Sequence, residues 1–365
     1  MSSTEFKFPR FSHGTGRDGF LKDLRNNVNN YFKENGITPH ANLQMKIKTI
    51  VIFSLYFAPY ILIITGVVTS WPAILLCVLM GLAQAGIGMS IMHDACHDAY
   101  SSNKVINRIL SYSINFIGGN RSNWIVQHNV KHHTYTNVFE ADEDVDVGNI
   151  IRLSPYSKKL KIHRFQHIYS WFLYTLGTIG WLTYKDFHQA LKYRPFKKNQ
   201  KQSSFTFHIT KVFLSKVFYY SYIVIIPVLV TDFTIGQVIL GFLTIQMVTG
   251  LVLTVVFQLA HVVENTEHSS APLTPVLEDS WAVHQVKTTN NFARKNKFLN
   301  WYLGGLNFQV EHHLFPNICH IHYNKISEIV KKTVHEYGLT YNEHPTFLQA
   351  LQSHYRFLRT LGYSN

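Results

Sequence analysis

Apolar and polar positions in this chain are segregated into long blocks. Residues 50–91 carry no charged side chain, and the run breaks near Thr69-Ser70-Trp71-Pro72. Each half holds about 20 residues, and a helix of that length rises about 30 Å, the thickness of a bilayer core. The block therefore predicts a transmembrane hairpin. Residues 217–230 and 235–259 predict a second one, with Asp232 at its turn as the only charge. Residues 18–34 repeat Phe20, Leu24, Val28 and Tyr31/Phe32 at helical spacing, with Asp18 as N-cap and Gly36 as stop. Such a helix suits either the membrane surface or a packed position on the soluble part. Residues 109–117 are too short to span and predict a core or re-entrant helix. Residues 324–360 predict two amphipathic helices, and no internal repeat or low-complexity segment is present.

Charge gives the blocks a sidedness. Lys and Arg number 34 against 21 Asp plus Glu, a net +13, and the excess lies almost wholly outside the apolar runs. Both hairpin turns lack Lys and Arg, whereas residues 1–49, 98–216 and those after His261 are rich in them, which places these segments in the cytoplasm. Were residues 168–184 to cross fully, the basic stretch 185–216 would lie outside. That aromatic-rich segment is therefore expected at the interface. The expected layout is a cytoplasmic segment 1–49 with its amphipathic helix, hairpin 50–91, cap 92–216, hairpin 217–259 and cap 260–365. Cys77, Cys96 and Cys319 form neither a disulfide framework nor a CxxC pattern, as expected of a reduced compartment. Residues 1–30 have no signal-peptide core. So basic a chain suits an anionic membrane surface, an acidic electron donor or a phosphate-bearing substrate; without a recognition motif, no nucleic acid is expected.

Histidines supply the candidate chemistry. His128, His132 and His133 fall within six residues, and His93/His97 and His312/His313 form two further clusters. On an α-helix His128 and His132 share a face, with His133 about 100° round, a geometry able to serve two metals. Seven imidazoles exceed what one zinc needs, although ligand type alone suits iron, zinc, copper or nickel. The three clusters must converge, and the acidic run 142–146 is either a solvated loop or, with Glu140, the source of a carboxylate that fixes a ligand tautomer. The fold expected is an all-α membrane protein, four transmembrane helices in two hairpins with a cytoplasmic helical cap holding a histidine-rich dimetal site.

Taken in order, His93-x-x-x-His97, His128-x-x-x-His132-His133 and Gln309-x-x-His312-His313 around two hairpins resemble the membrane-bound fatty acid desaturases. The flanking words Thr134-Tyr135-Thr136-Asn137 and His312-His313-Leu314-Phe315-Pro316 extend the resemblance, which covers about residues 18–360. Gln309 at the head of the third cluster is similar to the front-end members, which desaturate between an existing double bond and the carboxyl end. The resemblance implies two ferrous ions, O2 as co-substrate, and an acyl-CoA or acyl-lipid substrate. It also implies an integral, multi-pass membrane location, in a bacterial inner membrane, with active site and termini cytoplasmic. No His-Pro-Gly-Gly haem motif occurs, so the expected electron donor is a separate ferredoxin or cytochrome b5-like protein.

The family implies a further ligand at the end of the last span, where His261 stands. His284 is a candidate to compensate for Gln309, or lines the cap; Gln309 is itself a ligand, a water holder or a donor to a ligand. Asn123, Trp124, Gly304 and Gly305 are expected along an acyl tunnel. Lys104, Arg108, Arg121 and Arg152 either hold a phosphate or are surface charges. Gly81 and Gly88 suit close helix packing rather than a nucleotide loop. Two rivals remain at this level: a lipid hydroxylase or sphingolipid desaturase on the same scaffold, which product analysis separates, and a metal transporter. The second is disfavoured because the apolar runs contain no ionisable ligands.

Overall fold

The computed structural model describes residues 8–12, 19–193 and 205–364. Asp18, the expected N-cap, and residues 194–204 of the basic stretch lie outside the described residues. The chain divides into two compact units, His40–Val126 with Trp171–Val255, and Met1–Pro39 with Gln127–Ser170 and Val256–Asn365.

Among the described residues, four helices are long and apolar enough to cross a membrane: Leu43–Ile64, Pro72–Cys96, Phe205–Val230 and Ile235–His261, of 22, 25, 26 and 27 residues. They outrun the apolar blocks. Asn42 accepts the Met45 N–H at 3.1 Å and starts the first helix well before residue 50, so Lys46 and Lys48 lie inside it. The third is already helical at Phe205, the first described residue after 193, and its buried Lys216 bonds Asp186 and the Gly118 carbonyl. Lys46, Lys48 and Lys216 all lie in helical extensions that precede the apolar blocks, which themselves stay free of charge, and the second helix runs beyond residue 91. That helix continues through His93 to Cys96 by way of a π-helical stretch, Ile87–Met92.

Small residues bring these helices together. A Cβ on Gly81 would lie 2.8 Å from Val248 Cβ, which accounts for that glycine by helix packing. The 104–117 segment forms the Lys104–Ser111 helix and a 3-10 turn, Tyr112–Ile117, whose Ile114 and Ile117 pack with Met92 and Cys96 as core. Residues 168–184 are broken into Gln166–Thr175, Gly177–Gly180 and Trp181–Lys185. They form no helix of spanning length. The break at Leu176 leaves Thr178 to donate its hydroxyl to the Gln246 carbonyl at 2.8 Å.

In the other unit the Phe20–Glu34 helix buries Phe20, Leu24, Val28 and Phe32. They pack with Ile326, Val330 and Val334 of the Tyr323–Glu336 helix in one core, and Asn27 donates to Thr333 Oγ1 at 3.1 Å. Four such side chains contribute on the order of 6–12 kcal/mol as an upper bound. The apolar face is thus covered by protein, which decides for the packed alternative over the membrane-lying one. Gly36 ends the helix with φ +59°, a left-handed conformation that glycine adopts without strain. The tail forms two helices as expected, the second, Phe347–Tyr363, opened by a Thr346/Gln349 capping box. Three two-residue parallel strand pairs stitch the loops: Arg10–Phe11 with Val276–Leu277, Val138–Phe139 with Ser269–Ser270, and Asn291–Phe292 with Glu343–His344.

Candidate metal centre

One helical segment carries the second histidine cluster, and its local form differs from the α-helix expected. Ile125–His132 is π-helical, leading into a turn of α-helix at His133–Tyr135. Hydrogen bonding from i to i+5 widens the turn and brings residue 133 round towards residue 128. His128 Nε2 and His133 Nε2 lie 3.2 Å apart. Metal–nitrogen bonds of about 2.1 Å put neighbouring ligand nitrogens about 3.0–3.4 Å apart, so this spacing is compatible with a shared metal as well as with a hydrogen bond between the rings.

His312 and His313, from the short Gln309–Leu314 helix, and His261, the last residue of its helix, complete the cluster within this unit. All six imidazoles are buried. Ligand atoms of His132, His261 and His313 lie within 4.8 Å of one another, as do those of His133, His312 and His313. His313 belongs to both groups and its single Nε2 can serve one of them, so the groups mark two neighbouring candidate positions.

Four of the six Nδ1 atoms, those of His132, His261, His312 and His313, have polar partners behind them. His132 Nδ1 lies 2.9 Å from Asp142 Oδ2. Asp142 also accepts the backbone N–H groups of Asn137 and Asp144, each at 3.0 Å. Burial by itself would raise this carboxyl, but His132 and the two backbone donors outweigh it and hold it below the ordinary carboxylate value. Of the acidic run, Asp142 is therefore the tautomer-fixing carboxylate; Glu140 is not. His313 Nδ1 lies 2.8 Å from Gln285 Oε1, which Thr136 Oγ1 also approaches at 2.8 Å. His312 Nδ1 faces the Tyr323 hydroxyl at 3.3 Å, and His261 Nδ1 the Thr288 carbonyl at 3.4 Å. A proton held at Nδ1 leaves the lone pair on Nε2. Nε2 of His132 and of His261 are buried without a hydrogen-bond partner. Two such atoms facing a common space fit a metal, and the all-nitrogen donor set suits iron, zinc, copper or nickel alike.

Other expected residues fall elsewhere. His93 and His97 belong to the first unit, with ring centroids 4.8 Å apart and Trp124 edge-on to both at 5.7 and 5.8 Å. His284 points Nε2 at the Thr136 carbonyl, 2.8 Å away, and its ring abuts Phe11. Burial pulls its pKa down to about 4. It joins none of the candidate metal groups among the described residues, so the cap-lining alternative describes it. Gln309 donates Nε2 to the Leu306 carbonyl at 2.8 Å, bracing the start of its helix.

Asn123 donates to the Asp186 carbonyl at 2.7 Å, and His208 Nε2 lies 2.9 Å from its Oδ1. Gly304 and Gly305 have φ +62° and +69°, and a Cβ on Gly305 would meet His320 Cβ at 2.8 Å. Arg152 binds no external phosphate group, because its guanidinium donates to the carbonyls of Pro155, Ser157, Leu361 and Ser364.

Sequence reasoning passed over Gln285, Thr136 and Tyr323, and also Glu311. Both Glu311 oxygens accept, from Tyr341 and Asn291 at 2.8 Å each. Burial nevertheless pushes its carboxyl up to about 7. The available signal was position: Gln285 follows a histidine on a helix and Thr136 lies one turn beyond His132.

A family model described as fatty acid desaturase matches residues 69–345. An sn-1 linoleoyl-lipid 6-desaturase of Synechocystis sp. is 36% identical, covering 95% of this chain and 97% of the relative. One of the same description from Arthrospira platensis is 35% identical, covering 94% and 93%. An acyl-lipid (8-3)-desaturase of Physcomitrium patens is 32% identical, covering 94% of this chain and 72% of its own.

Proposed function

Since this chain belongs to the fatty acid desaturase family, a family of oxidoreductases that act on fatty acyl lipids, we propose that it is a front-end desaturase. It inserts a cis double bond between an existing one and the carboxyl end of an acyl chain. The named activities of the Synechocystis and Arthrospira relatives support a lipid-borne linoleoyl chain as the first substrate to test, with acyl-CoA as the alternative carrier.

Two iron ions are the proposed cofactors. His128, His132, His133, His261, His312 and His313 would hold them, and His93 and His97 of the first unit would complete the set. Iron so held would pass the donor's electrons to O2 and supply the oxidising power needed against an unactivated C–H bond. The chain's own residues do the rest. Asp142 and Gln285 keep protons on Nδ1 of His132 and His313, so that both rings offer Nε2. Burial of all six imidazoles keeps bulk water from the site. The anchored Nδ1 atoms behind inward Nε2 atoms are the observation that carries the metal reading.

The protein is an integral membrane protein, as its four apolar helices and its family indicate. The proposed topology is two hairpins with both termini and all histidine clusters cytoplasmic, supported by the Lys/Arg-free turns. Its electrons would come from a separate ferredoxin or cytochrome b5-like carrier.

The test is gas chromatography with mass spectrometry of lipids from a host expressing the chain and fed oleic or linoleic acid, beside a His132→Ala control. A new double bond on the carboxyl side of an existing one, absent in the control, is the expected result. A hydroxylated product would overturn the reading in favour of a hydroxylase.

A further inference from the structure

We propose that the cleft between the Phe20–Glu34 helix and the start of the Trp281–Thr288 helix docks an acidic one-electron carrier protein, with Trp281 leading from that surface to the metal centre. The proposal rests on the desaturase reading, which needs a donor. The cleft encloses about 580 Å³ and is lined by Lys22, Arg25, Asn26 and Asn29 on one side and by Ser280 and Trp281 on the other. Its lining has two cations and no carboxylate. Of the neighbouring acids, Asp279 pairs with Lys287 at 2.7 Å and Asp23 is turned to the Tyr337 hydroxyl at 2.6 Å, while Glu278 stands beside Asp279 outside the lining. Lys22 and Arg25 are exposed, Lys22 away from the face of Leu24 and Val28 that fixes the helix to the core and Arg25 flanking it.

Trp281 separates this cleft from an ordinary basic patch. Its half-buried ring lines the cleft, and its Nε1 donates to the His133 carbonyl at 2.9 Å. One turn further on, Gln285 of the same helix holds His313. One short helix therefore touches the cleft at its first residue and two of the proposed metal-binding histidines from its first two turns. A lipid or phosphate headgroup would use the cations but not the ring; a redox protein uses both. Weak redox encounters are small and steered by complementary charge, which suits an open site whose lining holds two cations and no carboxylate. Each encounter passes one electron: the carrier is oxidised by one and the metal centre is reduced by one. Two encounters, two solvent protons and the two substrate hydrogens balance the reduction of O2 to two waters.

The test uses the iron-loaded protein in phosphatidylcholine nanodiscs, titrated with a reduced plant-type [2Fe-2S] ferredoxin at low and high salt. Lys22→Glu combined with Arg25→Glu is expected to weaken binding about tenfold and to flatten its salt dependence. Iron content and melting temperature matching the parent show that this variant is folded. Trp281→Phe keeps a ring in the cleft without the indole N–H. It is expected to slow ferredoxin oxidation at saturating carrier more than it weakens binding. Unchanged affinity and salt dependence in the charge-reversed variant overturns the proposal, including where that variant loses binding to anionic phosphatidylglycerol vesicles instead, which would make the cleft a lipid site. Failure of the parent to desaturate any lipid in cells would bring down the desaturase reading itself, and a desaturating parent with indifferent ferredoxin binding brings down this inference alone.

Discussion

Asp142 Oδ2 stands 2.9 Å from Nδ1 of His132, and neither residue reaches solvent. The carboxylate takes this proton in addition to two backbone N–H groups, so three donors converge on one buried group. Asp142→Asn removes the charge while keeping one acceptor oxygen. Ligand basicity falls and one of the donors loses its acceptor, so iron affinity is expected to drop about 10- to 100-fold. Iron content after dialysis against a graded series of chelators measures this. Retention equal to the parent would show that His132 does not depend on Asp142.

Gln285 makes the same argument without charge. Its Oε1 serves both His313 Nδ1 and Thr136 Oγ1 at 2.8 Å. Gln285→Leu fills a similar volume but removes the 2.8 Å acceptor of His313 Nδ1, which costs about 1–3 kcal/mol, while the Thr136 hydroxyl keeps the His132 carbonyl at 2.7 Å. The metal-free variant should therefore melt at a lower temperature and the loaded protein should lose iron sooner. Gln285→Glu restores an acceptor at that point and should recover iron retention relative to Gln285→Leu. Equal retention in the two variants would remove Gln285 from the site.

These two residues also mark how far the sequence can be read. The hairpins were legible because a membrane demands about 20 apolar residues in a row. Their ends were not, because helix starts are set by caps such as Asn42, and because a buried partner such as Asp186 lets Lys216 lie inside a helix. Clustering of His128, His132 and His133 was plain from spacing, but the π-helical turn that pairs His128 with His133 was not, since spacing alone presumes an α-helix. The supporting residues were hidden for another reason. Gln285 and His313 are 28 positions apart, and Arg152 and Leu361 are 209 apart. A lone Gln or Arg carries no sign of which distant carbonyl or imidazole it will meet. The packing partners of Asn123, Gly305 and Arg152 were hidden in the same way.

His354 should make the protein acid-sensitive. It is fully buried beside the Val262 carbonyl, 2.7 Å from its Nδ1, and burial lowers its pKa to about 4. A histidine depressed in the folded state is protonated first in the unfolded state, so its contribution is intact above the unfolded pKa of about 6.5 and is lost as pH falls from there towards the folded value. The loss over that window is on the order of 3 kcal/mol. Melting temperature measured from pH 7.5 to 4 on the metal-free protein, against His354→Leu, checks it. The variant should start lower and show a shallower decline. A parallel decline in both proteins would assign the acid sensitivity to other groups.

Arg152 offers the cleanest separation between a phosphate-binding and a structural role. Its Nη1 lies 2.7 Å from the Leu361 carbonyl and 3.0 Å from that of Ser364, and its Nε lies 2.9 Å from the Ser157 carbonyl. The Arg152 carbonyl and N–H are themselves bonded to the Gln166 amide at 3.1 and 2.8 Å. A planar fork meets several carbonyls at once in a way that an ammonium cannot. Arg152→Lys keeps the charge and loses the fork, so it should destabilise the protein by about 2 kcal/mol or more through stranded C-terminal carbonyls. The end of the Phe347–Tyr363 helix should then become accessible to carboxypeptidase. Were Arg152 instead to grip a phosphate of the substrate, Lys would substitute well, melting would not change, and Arg152→Ala would raise KM with kcat intact. Limited carboxypeptidase digestion together with KM for an acyl-CoA distinguishes the two outcomes, and the carbonyl contacts favour the first.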